Sequence, residues 1–288
     1  MRAHVQMHVC VVAWGFTAIL GKLITLSPGR LVLWRMALVS CVLLTLPKVW
    51  RGLRQLPPAL LYTYAGIGVL VALHWVTFYA SIKLANASVA ATCMGLVPVF
   101  IAFIGPWLDR KPLDPRELWV GAWVTPGVAL VAGGTPLQMR DGVLVGVVSA
   151  LLVAFFGTLN KRHAHAADPL VITCIEMATG TLALALFCSL TDLASFEPPS
   201  AHDLGLLLVL ALACTLLPFA LSLVALRELG AFTAHLIVNL EPVYAIALGA
   251  FLLDEQRELT GTFYLGVALI LSGIFVQPWL HARTRRSV

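Results

Sequence analysis

The sequence predicts an all-α membrane protein, with ten transmembrane helices in two inverted five-helix repeats around a central cavity. Three observations carry that expectation. Ten apolar stretches fill almost all of the 288 residues, and six of them contain no Asp, Glu, Lys or Arg; about 20 such residues cross about 30 Å of hydrocarbon as a helix. Composition agrees, with 60% hydrophobic and 11% charged residues and a mean hydropathy of +0.92, too few charges to clothe a soluble globule. The third is a motif that recurs half a chain later.

The stretches are 5–25, 31–46, 59–82, 84–108, 118–138, 142–160, 170–190, 204–226, 229–253 and 259–280. The first is too long for a signal-peptide core and lacks a small-residue cleavage pattern, so it stays as a helix. The second carries Arg35, the third the aromatics Trp75 and Tyr79, and the fourth Pro98. Asp114-Pro115-Arg116-Glu117 opens the fifth as a cap, a first-turn proline and an acidic residue; Asp168-Pro169 opens the seventh in the same way. Small residues spaced by four, at Gly142 and Gly146, Ala91 and Gly95, and Ala245 and Gly249, allow close helix contact, read as packing inside the monomer. The eighth is uniformly apolar, the ninth holds Glu241-Pro242, and the tenth again lacks charge. Strands are excluded because a membrane barrel needs about ten alternating residues per crossing, and these runs are longer.

The net charge of +5 comes from basic residues scattered over short loops, which excludes a nucleic-acid reader and points to orientation instead. With the N-terminus inside, 13 Lys and Arg fall on the cytoplasmic side and 5 on the other. This predicts an inner-membrane, multi-pass chain with both termini cytoplasmic. Trp50, Trp107, Trp119 and Trp279 lie near span ends as an interfacial belt. The six cysteines all lie in spans without paired spacing and read as free apolar residues. His163 and His165 lack a third ligand, so no metal or other cofactor is expected.

Pro98 and Pro242 stand 144 residues apart, half the chain, inside spans four and nine. Around them Lys83-Leu84 answers Arg227-Glu228, Asn86-Ala87 answers Gly230-Ala231, and Leu108-Asp109 answers Leu253-Asp254 once one residue is inserted, which sets Gly121 against Gly266. Leu20-Gly21-Lys22 answers Leu159-Asn160-Lys161 more weakly. Two five-span repeats follow, residues 1–140 and 141–288. Five is odd, so the second repeat enters the bilayer from the other side, and two inverted halves enclose a midplane site that rocking exposes to either face. Each proline frees a carbonyl four residues earlier, those of Met94 and Val238, which a watery cavity or neighbouring helices must satisfy.

Trp14-Gly15-Phe16 with Lys22, Arg35, Ala85-Asn86-Ala87 through Val97-Pro98, Glu241-Pro242, Asp254-Glu255 and Gly266 through Gly273 together resemble the EamA branch of the drug/metabolite transporter superfamily. The likeness covers essentially the whole chain, and its order and doubling are more specific than any single motif. It implies a ten-helix carrier whose central cavity is lined mainly by helices 1, 3, 4, 6, 8 and 9, often exporting small metabolites such as amino acids, nucleotide-like compounds or amphiphiles. One departure is that Glu241 corresponds to Val97 in the first repeat, so any acidic site is one-sided.

Ionisable groups inside a bilayer cost about 2.5–3.5 kcal/mol each on insertion scales, so each calls for a reason. Arg35 and Glu176 occupy similar places in spans two and seven, each followed by Met, and read as a mutual or repeat-symmetric structural pair or as functional charges; Arg35 could also snorkel. Glu241 reads as a proton or cation site or as a structural group beside Pro242. His235 and Asn239, four apart, share a face of span nine, while Glu241 lies about 200° further round. Trp75, Tyr79 and Lys83 form a stripe on span three with His74 adjacent, and Trp14, Thr17 and Gly21 form another on span one. Each stripe is either packing or a cavity wall. Lys22 and Lys161 read as headgroup anchors or as contacts to an anionic substrate.

The expected function is secondary active transport of a small metabolite across the inner membrane by alternating access, with export following from the resemblance alone. Its partners are a small-molecule substrate and the lipid bilayer, with proton coupling through a buried carboxyl, no nucleic acid, and a monomer or homodimer. No nucleotide-binding or hydrolase motif is present in the sequence, so neither direct ATP drive nor an enzyme is expected. The alternatives are an intramembrane enzyme using Glu176, Glu241, His74 and His235, or a non-transporting scaffold.

Overall fold

A computed structural model describes residues 2–110, 112–113, 115–163, 165–191, 196–218, 221, 225, 229, 237–238 and 240–284. The chain is all-helical in these residues. The first repeat comprises α1 (Arg2–Leu23), α2 (Pro28–Leu44), α3 (Pro47–Gln55), α4 (Pro58–Leu84), α5 (Ala87–Met94), α6 (Val97–Asp109) and α7 (Pro115–Gly134). The second comprises α8 (Arg140–His163), α9 (Pro169–Thr191), α10 (Ala201–Leu208) running into a π-helical turn (Val209–Leu216), α11 (Glu241–Leu253) and α12 (Gly261–Thr284). Spans 1, 2, 3 and 5 are α1, α2, α4 and α7. Span 4 is α5 with α6. Spans 6, 7 and 10 are α8, α9 and α12, while α10 with its π turn begins span 8 and α11 ends span 9.

Three local features depart from the sequence expectation. The charged stretch after span 2 forms a helix, α3, bent 91° from α2. Lys48, Arg51 and Arg54 lie along it while Val49 is buried, the amphipathic pattern of a segment lying in the membrane interface. Span 4 is two helices rather than one. Gly95 and Leu96 close α5 with short-range bonds to Thr92 and Cys93 carbonyls, and α6 restarts with Pro98 in its first turn, where a missing N–H costs nothing. The second repeat copies this: Leu240 bonds back to Ile237, and α11 restarts with Pro242 in its first turn. The third is the repeat register. Both α6 and α11 are 13 residues long and end in left-handed caps, Arg110 (φ 52°) and Asp254 (φ 55°). The 144-residue offset therefore persists to the caps, and the extra residue enters only in the loops beyond them.

Packing follows the same exchange of halves. Span 3 packs on span 6 as span 8 packs on span 1; span 1 packs on span 9 as span 6 packs on span 4; and spans 2 with 7, 4 with 9, and 5 with 10 meet their own counterparts. This is the contact pattern of two inverted repeats. The side of the bundle at the start of α1 is the termini face, and the side at the end of α1 is the opposite face.

Close crossings use glycine where the backbones touch. A side chain at Gly127 or Gly266 would meet the other's carbonyl oxygen at 3.0 or 2.6 Å, and Gly142 and Gly146 of span 6 lie against Ala85, Ser81 and Cys93. Asp168 caps α9, accepting from Leu170 N–H at 3.0 Å and Lys48 Nζ at 2.7 Å. Burial pushes that carboxyl up, but the Lys48 ammonium and the N–H together hold it below the ordinary range. Its stabilisation is present above the ordinary carboxylate pKa and is lost as pH falls through the depressed one. Asp168→Ala is expected to cost about 1 kcal/mol, read as a lower unfolding temperature at pH 7 with the difference shrinking in acid.

Candidate functional site

Between the halves lies a tight hollow with no room for a free water molecule, lined by Trp14, Gly15 and Ala18 of span 1, Phe78 of span 3, Ala91 and Met94 of span 4, and Glu241, Pro242 and Ala245 of span 9. The sequence supplies it in two ways. Helix breaks before Pro98 and Pro242 leave Met94 at the end of one helix and Glu241 at the start of another. Small residues at Gly15, Ala18, Ala91 and Ala245 keep the walls thin, and a Cβ on Gly15 would stand 3.1 Å from the Ala245 nitrogen. The wall is otherwise apolar and aromatic, so the partly buried Glu241 is its one ionisable group among the lining residues.

The other sequence candidates fall around this hollow at different depths. Trp14 and Met94 line it. Thr17 is buried one turn on and donates to the Trp14 carbonyl at 2.6 Å. Tyr79 is fully buried, adjoining Phe78 with ring centroids 5.5 Å apart; its ring fills the place a side chain on Gly21 would take. His74 is buried on the span 6 side, where its Nδ1 lies 2.8 Å from Ser149 Oγ, and Ser149 Oγ donates to the His74 carbonyl at 3.0 Å. His235 and Asn239 lie outside the described residues.

Arg35 corrects its sequence reading. It does not snorkel, being 4% exposed in the middle of α2. Nor do Arg35 and Glu176 form an ion pair among the described residues. Instead its guanidinium carbon lies 3.8 Å from the Trp75 ring centroid, Nη1 donates to Tyr79 Oη at 2.6 Å, and Nε and Nη2 donate to Thr215 Oγ1 at 3.0 and 2.8 Å. Glu176 is buried separately, against the span 3 backbone at Gly68. Its Oε1 and Asn160 Oδ1 have no hydrogen-bond partner among the described residues.

The opposite face is closed by bonds between the halves that the sequence reading missed. Glu255, 1% exposed, accepts from Ala87 N–H and Ser88 N–H at 2.8 Å each and from Ser88 Oγ at 2.6 Å. Its carboxylate thus caps the N-terminus of α5 from the other repeat, where the helix dipole and free N–H groups favour an anion. Asn86 Nδ2 donates to Glu258 Oε2 at 3.0 Å. Asp203 of span 8 accepts from Thr25 N–H at 2.8 Å and Thr25 Oγ1 at 2.6 Å. Lys83 Nζ donates to the Ile24 and Lys22 carbonyls and Lys22 Nζ to the Ala85 carbonyl, so Lys22 ties helix ends together rather than reaching for headgroups. The usable signal was Asn86-Ala87, a helix start inside the membrane boundary that needs an acceptor.

The EamA-like transporter family model matches residues 1–133 and again 140–277. An uncharacterized transporter of Pseudomonas aeruginosa is 26% identical over 93% of this chain and 92% of its own length. Two uncharacterized transporters of Bacillus subtilis are 26% and 24% identical over 62% and 72% of the chain, which spans 60% and 66% of their lengths. A crystal structure matches with a TM-score of 0.61 at 19% identity, covering 98% of this chain and 99% of that one, a likeness of fold.

Proposed function

Because the chain belongs to the EamA-like transporter family, we propose that it is a secondary carrier moving a small metabolite across the inner membrane by alternating access, in the export direction. Residues 1–140 and 141–288 are its two rocking repeats, and both termini are cytoplasmic. The observation that carries the reading is that spans of both repeats line the hollow and bonds between the repeats lie on both faces, Glu255 with Ala87 and Ser88 on one and Lys48 with Asp168 and Tyr64 with His163 on the other. Rocking that breaks the bonds of one face and keeps those of the other would expose the hollow to one compartment at a time.

Counterflow of labelled metabolites in proteoliposomes tests this, because a carrier exchanges its substrate, an enzyme alters it and a scaffold does neither. Absence of exchange across amino acids, nucleosides, sugars and amphiphiles would overturn the reading.

Glu241 supplies the proton-coupling group in this scheme, as the ionisable side chain in the wall and the first residue of α11. A site alternately dry and wet changes the cost of its charge, which links protonation to conformation. Glu241→Gln is expected to remove the pH dependence of exchange while leaving a folded protein. Unchanged pH dependence would exclude it.

A further inference from the structure

A full positive charge in the apolar interior is costly unless an anion or many dipoles meet it. Arg35 meets neutral groups on every side described: the Trp75 face, Tyr79 Oη and Thr215 Oγ1. A guanidinium has five N–H donors, and three bonds to two oxygens are made here. Two N–H groups of a 4% exposed side chain are therefore unclaimed among the described residues, and no carboxylate there pairs with it. The surroundings are built to hold it in place. Thr215 sits in the π-helical turn of span 8 and donates its own hydroxyl hydrogen to the Leu210 carbonyl at 2.7 Å, so its lone pairs turn to Arg35. Such widened turns concentrate at functional positions.

The same aromatic wall continues to the hollow. Trp75 and Tyr79 flank Phe78 on α4, and Phe78 lines the hollow. The guanidinium thus lies against Trp75 and Tyr79, the neighbours of the hollow-lining Phe78 on the same helix.

We propose that Arg35 is the anion subsite of this carrier and that the transported compound bears a carboxylate, its two oxygens taking the two unclaimed N–H groups while Trp75 and Tyr79 hold the adjoining part of the molecule. The inference rests on the carrier reading for the word transported, but binding is measured without transport. A carboxylate suits a flat two-donor edge, and bidentate pairing of this type is strong and directional.

The test is thermal unfolding of purified protein titrated with benzoate, phenylacetate and propionate, with the matching primary amides, and with phenyl phosphate. The carboxylates are expected to raise the unfolding temperature saturably and the amides not. Arg35→Gln should lose that preference. Arg35→Lys, which keeps the charge and loses the fork, should still prefer carboxylates but bind them about tenfold more weakly, and it carries the test if the glutamine variant does not fold.

The proposal is overturned if no carboxylate stabilises the wild type, if amides do so equally, if phenyl phosphate is preferred, or if Arg35→Lys binds as tightly as wild type. Exchange in proteoliposomes that ignores Arg35 removes the subsite and leaves the carrier. Carboxylate binding without any exchange removes the carrier and leaves the subsite.

Discussion

Replacing Glu255 by alanine is expected to destabilise the protein by about 3 kcal/mol or more, because buried donors that lose their acceptor each cost about 1–3 kcal/mol. Three are at stake: Ala87 N–H, Ser88 N–H and Ser88 Oγ, all buried. The loss is also directional. The carboxylate belongs to the loop between spans 9 and 10, and the donors belong to the start of span 4, so the change loosens one repeat from the other at the opposite face alone. A lower unfolding temperature should therefore come with faster labelling, by a membrane-impermeant reagent, of a cysteine placed at Ala87, a change that keeps all three donors. Glu255→Gln should fall between, since an amide offers one acceptor oxygen where the carboxylate offers two. An alanine variant as stable and as unreactive as the parent would show that this contact holds nothing shut. Counting 144 residues back from Glu255 gives Lys111, so the sequence does not repeat this carboxylate at the corresponding place.

The second large effect lies at the crossing of spans 5 and 10, and two adjacent glycines test it against each other. A Cβ on Gly134 would run into the backbone nitrogen of Phe263, with Phe263 Cα and Thr260 Oγ1 at 2.8 Å. A Cβ on Gly133, the neighbouring residue of the same helix, meets nothing within 4 Å. Gly134→Ala must push the two packed backbones apart and is expected to cost about 3 kcal/mol, at the upper end of overpacking effects. Gly133→Ala should be neutral or stabilising by up to about 1 kcal/mol, since alanine has the better helix propensity. Thermal unfolding of both variants in one detergent decides it. Equal behaviour would mean that spans 5 and 10 do not touch as described.

Most of the fold was legible because a bilayer leaves a chain few options: apolar runs become helices, and an odd-numbered doubled motif becomes an inverted pair. The prolines were legible too, and the structure turns the expected kinks into helix restarts at Val97 and Glu241. Hydropathy missed α3 because Lys48, Arg51 and Arg54 make a surface helix look like a loop. The site was legible only by halves. Trp14, Met94 and Glu241 were picked from one-dimensional cues and line one hollow. Trp75 and Tyr79 were seen as a stripe, but what they hold is Arg35, 44 positions from Tyr79, and no local pattern reports such a contact. Glu255 was hidden in the run Asp254-Glu255-Gln256-Arg257-Glu258, where a charge ordinarily means solvent. Its partner is 167 residues away at Ser88.

The most direct measurement is reciprocal access to the hollow. A single cysteine at Ala245, in a chain whose native cysteines are replaced, is labelled with an impermeant maleimide in right-side-out and inverted vesicles, with Glu255 and with Glu255→Ala. Relative to the parent, the alanine variant should gain rate from the opposite face and lose it from the termini face. Rates that rise together from both faces, as in a pore, or that do not respond to Glu255 at all, would contradict a hollow that opens to one side at a time.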